Sequence, residues 1–251
     1  MSRMHSAYRI IEPTRDVPLF IFGDHASRYI PGNYGNLGLA GNDMTRHIAW
    51  DIGSASLIRA MADFFGCRAQ LANFSRLLID PNRSLDADSL ILEVSDGTVI
   101  PGNWNLSMAD KRCRIDEFYQ PYHDRMSDYL KTVNDPLVIS IHSFTPQPLA
   151  GATRHVDIGL LVKHDELSAR QFQRMFMQLG QGFSIGMNEP YSAHDFNHTI
   201  DTHVAPRGLR HLAIEVNQRL VDTEYRARNM GRILAEQVEP IVNRVDISIG
   251  D

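Results

Sequence analysis

Short apolar runs alternate with longer segments of helical periodicity along the chain. Six apolar or alternating runs predict strands, at residues 18–22, 67–74, 76–80, 136–142, 156–163 and 209–217. Apolar residues three or four positions apart predict four helices, at residues 42–66, 115–134, 166–182 and 222–243, with a kink at Pro121. This alternation predicts an α/β fold of three layers, α/β/α, around a mixed, largely parallel central sheet.

Length and composition are those of an ordinary globular domain, which we predict to span residues 1–251. The 251 residues contain no repeat, low-complexity tract or Gly/Ser linker, and 43% of them are hydrophobic. A net charge of -5 argues against a nucleic-acid partner, because such binding needs clustered positive charge. No stretch approaches the ~18 apolar residues of a membrane span. We therefore expect neither a nucleic-acid nor a membrane partner.

The two cysteines indicate a cytoplasmic protein. Cys67 and Cys113 are too few for a disulfide framework and do not form a Cys-x-x-Cys pair, so we interpret both as reduced thiols. The first 13 residues contain no apolar core of signal-peptide length. The expected location is the cytoplasm.

Polar side chains follow several of the predicted strands at the point where each strand ends. Asp24 and His25 come after the first strand, residues 80–83 after the third, and His142 ends the fourth; Glu215 lies within the last. In sheets of this kind, functional groups gather in the loops at the carboxyl ends of the strands. We therefore expect two histidines, two acids and an arginine to meet at one edge of the sheet.

Two strand-end histidines with a carboxylate favour a zinc site. Catalytic zinc commonly takes two His and one Asp or Glu and leaves a position for water. The metal lowers the pKa of that water and polarises a carbonyl, while a further carboxylate carries its proton to the leaving nitrogen. The alternative for His25 and for His142 is a buried histidine that hydrogen-bonds to the backbone.

Three segments resemble those of the zinc carboxypeptidases. "SIHSFTP" around His142 is similar to their "SIHSYS" segment, in which the histidine is a zinc ligand. "IDPNRSLD" is similar to the segment whose Asn and Arg hold the terminal carboxylate of the substrate, here Asn82 and Arg83. "LAIEVN" is similar to the late strand that carries the catalytic glutamate, here Glu215.

A closer resemblance is to the N-formylglutamate amidohydrolase family, a relative of those peptidases. Seven segments match it in chain order, namely residues 25–31, 47–53, 75–83, 141–146, 188–192, 199–203 and 211–215. Together they cover roughly residues 18–240, and the ordered set is what carries the resemblance. It implies a single catalytic domain with a zinc-carboxypeptidase-like, phosphorylase/hydrolase-like fold.

One departure from the carboxypeptidase pattern concerns the third metal ligand. Their first motif is His-x-x-Glu, whereas the position three after His25 is Arg28, so the ligand must come from elsewhere. We expect Asp51, which lies just before "IGSASLIRAM", where a carboxylate can face the site. A plain helix cap remains an alternative role for Asp51, and Asp24 remains the alternative ligand.

The resemblance, with Asp51 as our choice of third ligand, implies roles for eight residues. One zinc ion is held by His25, Asp51 and His142, Glu215 is general base and then acid, Asn82 and Arg83 clamp a substrate carboxylate, Arg76 contacts a second carboxylate or the oxyanion, and His203 donates to the oxyanion. Guanidinium suits the clamp because its planar fork matches a carboxylate. The alternatives are an outward-facing Glu215 and a surface ion pair of Arg83 with Asp80 or Asp86.

The leading hypothesis is a zinc-dependent amidohydrolase that cleaves the formyl or acyl amide of an N-acyl amino acid, such as N-formylglutamate. A metallopeptidase or amidase that acts on peptides or cell-wall fragments is the alternative, and a non-catalytic binding protein of the same fold is a third. The partner is then a small N-acyl amino acid or a short peptide. A closed pocket around Arg83 favours the first and an open groove the second, and we expect residues 99–105 and 188–196 to decide between them.

Overall fold

A seven-stranded sheet runs through the centre of the computed structural model, which describes residues 6–149 and 151–244. The strands of the chain are β1 (Tyr8–Ile11), β2 (Leu19–Gly23), β3 (Arg68–Ala72), β4 (Val94–Ser95), β5 (Thr98–Val99), β6 (Leu137–Phe144), β7 (Ile158–Leu160), β8 (Ile185–Met187) and β9 (His211–Asn217). β4 and β5 form a separate hairpin. The predicted domain of residues 1–251 also includes positions 1–5, 150 and 245–251, which lie outside the described residues.

The strand order of the large sheet is β1-β3-β2-β6-β9-β7-β8. Four neighbouring pairs are parallel, while β1 with β3 and β7 with β9 are antiparallel. The prediction of a mixed, largely parallel sheet is therefore confirmed. β2, β6 and β9 are adjacent and parallel, so their carboxyl ends meet at one edge.

Helices cover both faces of the sheet, which confirms the three layers. They are α1 (Ser54–Phe65), α2 (Met108–Arg114), α3 (Gln120–Leu130), α4 (Glu166–Gln178), α5 (His198–His203) and α6 (Glu224–Val242). The core on one face contains residues of α1, α4 and α6, and the core on the other contains residues of α3. None of the helices in the described ranges combines the length and the apolar composition needed to cross a bilayer.

Side-chain alternation along the central strands decides which residues face α3. In β6, Leu137, Ile139 and Ile141 belong to the core under α1 and α6, whereas Val138 belongs to the core under α3. Because successive side chains point to opposite faces, His142 lies on the α3 face. Glu215 lies on the same face by the same alternation in β9.

The predicted helix at 42–66 is wrong in its first part, because α1 begins only at Ser54. The preceding segment is tied to the end of β2 by the backbone N–H of Asp51, which donates to the His25 carbonyl at 2.9 Å. Gly53, at φ 82°, then turns the chain into the helix. Asp51 therefore lies outside α1, and its side chain does not cap the helix.

The predicted strand at 76–80 is also wrong. Leu77, Leu78 and Ile79 are fully buried, but they lie in a turn-rich loop. The backbone carbonyls of this loop accept hydrogen bonds from side chains rather than from a neighbouring strand. The Asn103 amide donates to the Leu77 carbonyl, and the Arg114 guanidinium donates to the Leu78 carbonyl. Buried apolar residues thus cover the core here without forming a ladder.

The helical segment predicted at 115–134 instead begins at Met108 with α2 and ends at Leu130 with α3. α2 starts after a capping box in which Ser107 and Asp110 bond to each other's backbone N–H groups. The backbone then passes through a π-helical turn, Ile115–Tyr119, directly before Pro121 in α3. The helices predicted at 166–182 and 222–243 are present as α4 and α6, the latter capped by Thr223.

Candidate active site

A small cavity opens at the carboxyl ends of β2, β6 and β9. Its volume is about 210 Å³. Ten residues line it: His25, Asp51, Arg76, Asn82, Arg83, His142, Ser143, Tyr191, Phe196 and Glu215. The structure thus brings together seven of the eight residues selected from the sequence and leaves out His203.

Three buried side chains form a group that can hold a metal ion. One ligand atom each from His25, Asp51 and His142 lies within 4.8 Å of the others. Asp51 Oδ2 is 2.8 Å from His142 Nδ1 and 3.4 Å from His25 Nδ1. Ligand atoms about 2.0–2.1 Å from a tetrahedral zinc ion lie ~3.3 Å apart, so the spacing is close to that of a metal site.

The outer nitrogens of the two imidazoles face further buried carboxylates. His25 Nε2 is 2.7 Å from Asp80 Oδ1, and His142 Nε2 is 3.5 Å from Asp24 Oδ2. The Nδ1 atoms of both rings face Asp51, and Arg76 Nη1 also lies 3.3 Å from His25 Nδ1. A proton on each Nε2 would leave the two Nδ1 lone pairs for a metal ion. This is the arrangement in which carboxylates orient metal-binding histidines.

The cluster carries an excess of negative charge that favours a cation. Burial alone would lower the pKa of His142, but contacts with Asp24 and Asp51 outweigh it and raise that pKa well above its usual range. Burial and Arg76 lower the pKa of His25, and Asp80 and Asp51 raise it to a net increase. A site that attracts protons so strongly is suited to a metal cation in their place.

Glu215 faces the cavity beside His142. The two residues are register partners across the parallel β6–β9 pair, and both are buried. Glu215 makes no side-chain hydrogen bond within the described part of the chain, so its oxygens are available to the cavity. Burial, opposed by His142 and reinforced by Asp51, raises the pKa of its carboxyl to about 7. An outward-facing Glu215 is thereby excluded.

Arg76 is held at the wall of the cavity by the loop that follows β3. Its Nη2 donates to Asp80 Oδ2 at 2.6 Å, and its Nη1 lies 3.7 Å from Asp51 Oδ1. Asp80 also accepts the backbone N–H of Asn82 at 2.9 Å. One carboxylate therefore fixes His25, Arg76 and the start of the 82–83 segment.

Arg83 forms no direct ion pair with an acid of the described residues. Its Nε donates to Ser89 Oγ and its Nη1 to the Asn82 carbonyl, and no carboxylate of the described residues lies within 4.0 Å of it. The guanidinium stacks 4.7 Å from the ring centre of Phe196. The surface ion pairs with Asp80 or Asp86 do not form. Asn82 accepts the Thr199 N–H through Oδ1, which leaves its amide donors for the cavity.

His203 lies behind the 81–83 loop rather than in the cavity. Its Nε2 is 2.8 Å from His123 Nδ1, and His123 Nε2 is 3.0 Å from the Pro81 carbonyl. Because a carbonyl only accepts, His123 donates to Pro81 and His203 donates to His123. Burial lowers the pKa of each histidine to about 4, so both are neutral. The geometry gives His203 a supporting position, not contact with substrate.

Only one of the two segments that were expected to shape the pocket lines the cavity. Residues 188–196 contribute Tyr191 and Phe196 to the cavity wall. Residues 99–105 contribute none, because Asn103 instead supports the Leu77 carbonyl from behind. Sequence reasoning did not single out Tyr191, although it belongs to the "NEPYS" segment that carried part of the family resemblance.

Comparisons with known proteins agree with this fold. A crystal structure of gene product Atu2144 from Agrobacterium tumefaciens is 28% identical, covers 98% of each chain and has a TM-score of 0.89. The structure of N-formylglutamate amidohydrolase from Ralstonia eutropha JMP134 is 18% identical, covers 96% of this chain and 98% of that one, and has a TM-score of 0.76, which is a likeness of fold. Among curated proteins, none matches the sequence.

A protein-family model also matches most of the chain. The model of N-formylglutamate amidohydrolase matches residues 17–221, more than half of the chain. This range contains β2, β6 and β9 and all ten residues that line the cavity. The resemblance found in the motifs is thereby confirmed, and the chain belongs to the N-formylglutamate amidohydrolase family.

Proposed function

We propose that the protein is a zinc-dependent hydrolase that cleaves the amide bond of an N-acyl amino acid, with N-formylglutamate as the reference substrate. The observation that carries the proposal is that one cavity brings together the His25–Asp51–His142 cluster, Glu215 and the Arg83 guanidinium. Family membership supports the reaction class. We treat residues 1–251 as one catalytic domain, and the free thiols Cys67 and Cys113 support a cytoplasmic location.

His25, Asp51 and His142 would hold one zinc ion, since two imidazoles and a carboxylate are a frequent catalytic donor set. Zinc in this position would supply Lewis-acid chemistry, lowering the pKa of a water molecule and polarising the amide carbonyl. The buried carboxylate Asp80 would keep the His25 imidazole oriented.

Glu215 would carry the proton. It takes a proton from the attacking water and returns it to the amine nitrogen as the amide C–N bond breaks. Its place beside His142 on a central strand, and the absence of a hydrogen-bond partner in the described residues, leave it free for this exchange. Tyr191 and Ser143 also line the cavity that Glu215 faces.

Arg83 and Asn82 would bind the substrate carboxylate. Both line the cavity, and no carboxylate of the described residues lies within 4.0 Å of Arg83. Arg76, which Asp80 holds against the cluster, is placed to donate to the oxygen that becomes negative during the attack. His203 has no part in this proposal, because it lies behind the 81–83 loop.

The size of the cavity favours an amino-acid derivative over a peptide. Its volume of 210 Å³ lies below the ~300–1,000 Å³ of sites that enclose drug-sized ligands. Tyr191 and Phe196 limit it on the side of residues 188–196. This supports the acyl amino acid reading over the peptide or cell-wall alternative.

The test is formate release from N-formylglutamate by the zinc-loaded protein, with N-acyl dipeptides as competing substrates. We expect Glu215→Gln to lower kcat by ~10²–10⁴-fold while zinc remains bound, and the exposed Glu236→Gln to have no effect. Faster cleavage of the dipeptides would support the peptidase alternative. Inactivity of the zinc-loaded wild type on every substrate would favour the binding-protein alternative and refute the proposal.

A further inference from the structure

Asp24 is a buried carboxylate with one satisfied and one unsatisfied oxygen. It is 1% exposed and directly follows β2. Its Oδ1 accepts hydrogen bonds from the Tyr122 hydroxyl at 2.9 Å and the Thr199 hydroxyl at 3.0 Å. Its Oδ2 has no hydrogen bond within the described residues and lies 3.5 Å from His142 Nε2. The unsatisfied oxygen is thus turned toward a candidate metal ligand.

A direct ligand role for Asp24 does not fit this geometry. Asp51 faces the Nδ1 side of the His142 ring at 2.8 Å, whereas Asp24 faces the Nε2 side. The two nitrogens lie on different sides of the imidazole, so one ion bound at Nδ1 does not reach Asp24. The group of close ligand atoms contains Asp51 and omits Asp24.

We propose that Asp24 is a positioning residue that keeps the proton of His142 on Nε2 and thereby directs the Nδ1 lone pair to the metal. The inference rests on the metal site of the proposed function. A histidine ligates through an unprotonated nitrogen, and the partner of its other nitrogen decides which one that is. Tyr122 from α3 and Thr199 from α5 hold Asp24 in place for this task.

The two anchors also predict what an amide would do at this position. Both hydroxyls donate to Oδ1, so in Asp24→Asn they would keep the amide oxygen there. The amide NH₂ would then face His142 Nε2–H, donor against donor. His142 would have to move its proton to Nδ1 or turn away, and either change removes the metal-directed lone pair.

The experiment measures zinc affinity by competition with a chelating indicator for wild type, Asp24→Asn, Tyr122→Phe and Thr199→Val. Orienting partners of metal-bound histidines are worth ~10–100-fold in affinity, which is the loss we expect for Asp24→Asn. Tyr122→Phe and Thr199→Val each keep the carboxylate and one anchor, so we expect smaller losses. Wild-type affinity in a folded Asp24→Asn would overturn the inference.

A second readout does not need the variant to fold. Long-range proton–nitrogen NMR correlation spectra of the zinc-loaded wild type report which nitrogen of His142 carries the proton. Zinc at Nδ1 with a proton on Nε2 supports the inference, and zinc at Nε2 overturns it while leaving the proposed hydrolase intact. A wild type that binds no zinc overturns the proposed function and this inference together.

Discussion

His142 and Glu215 lie side by side across the parallel pair of β6 and β9, as register partners in the middle of the sheet. Both strands are buried along their whole length and have a hydrogen-bonded neighbour on each side. The separation of the candidate ligand from the candidate proton carrier is therefore set by the sheet rather than by a mobile loop. The proposed substrate-binding residues Asn82 and Arg83, in contrast, lie in a loop. The His123 side chain of α3 and the Thr199 backbone N–H of α5 hydrogen-bond to this loop.

Replacing Arg83 by lysine should weaken substrate binding more than catalysis. Lysine keeps the charge but loses the planar fork, and a hydrogen bond to a charged group contributes about 1.5–3 kcal/mol. We therefore expect KM to rise by ~10–100-fold with a smaller change in kcat, measured by initial rates. Arg170→Lys, which alters an exposed helix ion pair, is the matched control. An unchanged KM in Arg83→Lys would show that Arg83 does not bind the carboxylate.

Gly159→Ala should disturb the cavity wall from behind. A Cβ at this position would lie 1.9 Å from the Glu189 carbonyl oxygen and 3.3 Å from Glu215 Cβ, so the segment that carries Tyr191 must move. Overpacking of this kind costs about 1–3 kcal/mol in the free energy of unfolding, and we expect KM to rise as well.

Urea unfolding and initial rates check this prediction, with Gly41→Ala as the control because no atom lies within 4 Å of its added Cβ. If Gly159→Ala matches wild type in both measurements, the close approach of Glu189 does not determine the shape of the cavity.

The free energy of unfolding should decrease at acidic pH because the buried pair His123 and His203 resists protonation. Their folded pKa values are about 4, below the ordinary value of 6.5, so the unfolded chain binds more protons between these limits. The free energy of unfolding therefore decreases as pH falls from 6.5 toward 4, by at most about 1.4 kcal/mol per pH unit and group.

The His203→Gln variant isolates this effect, since its amide can still donate to His123 but does not titrate. We expect wild type to lose stability relative to His203→Gln below pH 6.5, and the difference to be constant above pH 7. Chemical denaturation of the metal-free proteins measures it. A difference that does not change with pH would mean that His203 is not held neutral by burial.

The central strands could be predicted from the sequence because a strand that is buried on both faces appears as a short run of apolar residues. Five of the six predicted strands exist, and the two histidines of the metal-capable cluster lie at the carboxyl ends of two of them. Residues 76–80 have the same apolar appearance, but what decides their conformation is distant: Asn103 and Arg114 supply the hydrogen bonds that a strand partner would supply. Local pattern alone does not contain that information.

The positions of Asp51 and His203 illustrate the same limit within the site. The helical spacing around Asp51 included it in a helix, yet its backbone bonds to His25, and this contact is what frees its carboxylate for the cluster. The motif around His203 indicated a site histidine, but α3 brings His123 within 2.8 Å of its ring, and His203 does not line the cavity. Side-chain direction depended on packing between elements that are far apart in sequence.

The central claim is that His25, Asp51 and His142 hold the zinc ion on which activity depends. The most direct measurement is the zinc content of purified wild type, His142→Ala and His211→Ala after equilibration with zinc, with circular dichroism to verify folding. His211 is a buried histidine on β9 outside the cavity and serves as the matched control. We predict one zinc ion per chain in wild type and His211→Ala and none in folded His142→Ala, whereas stoichiometric zinc in His142→Ala would contradict the account.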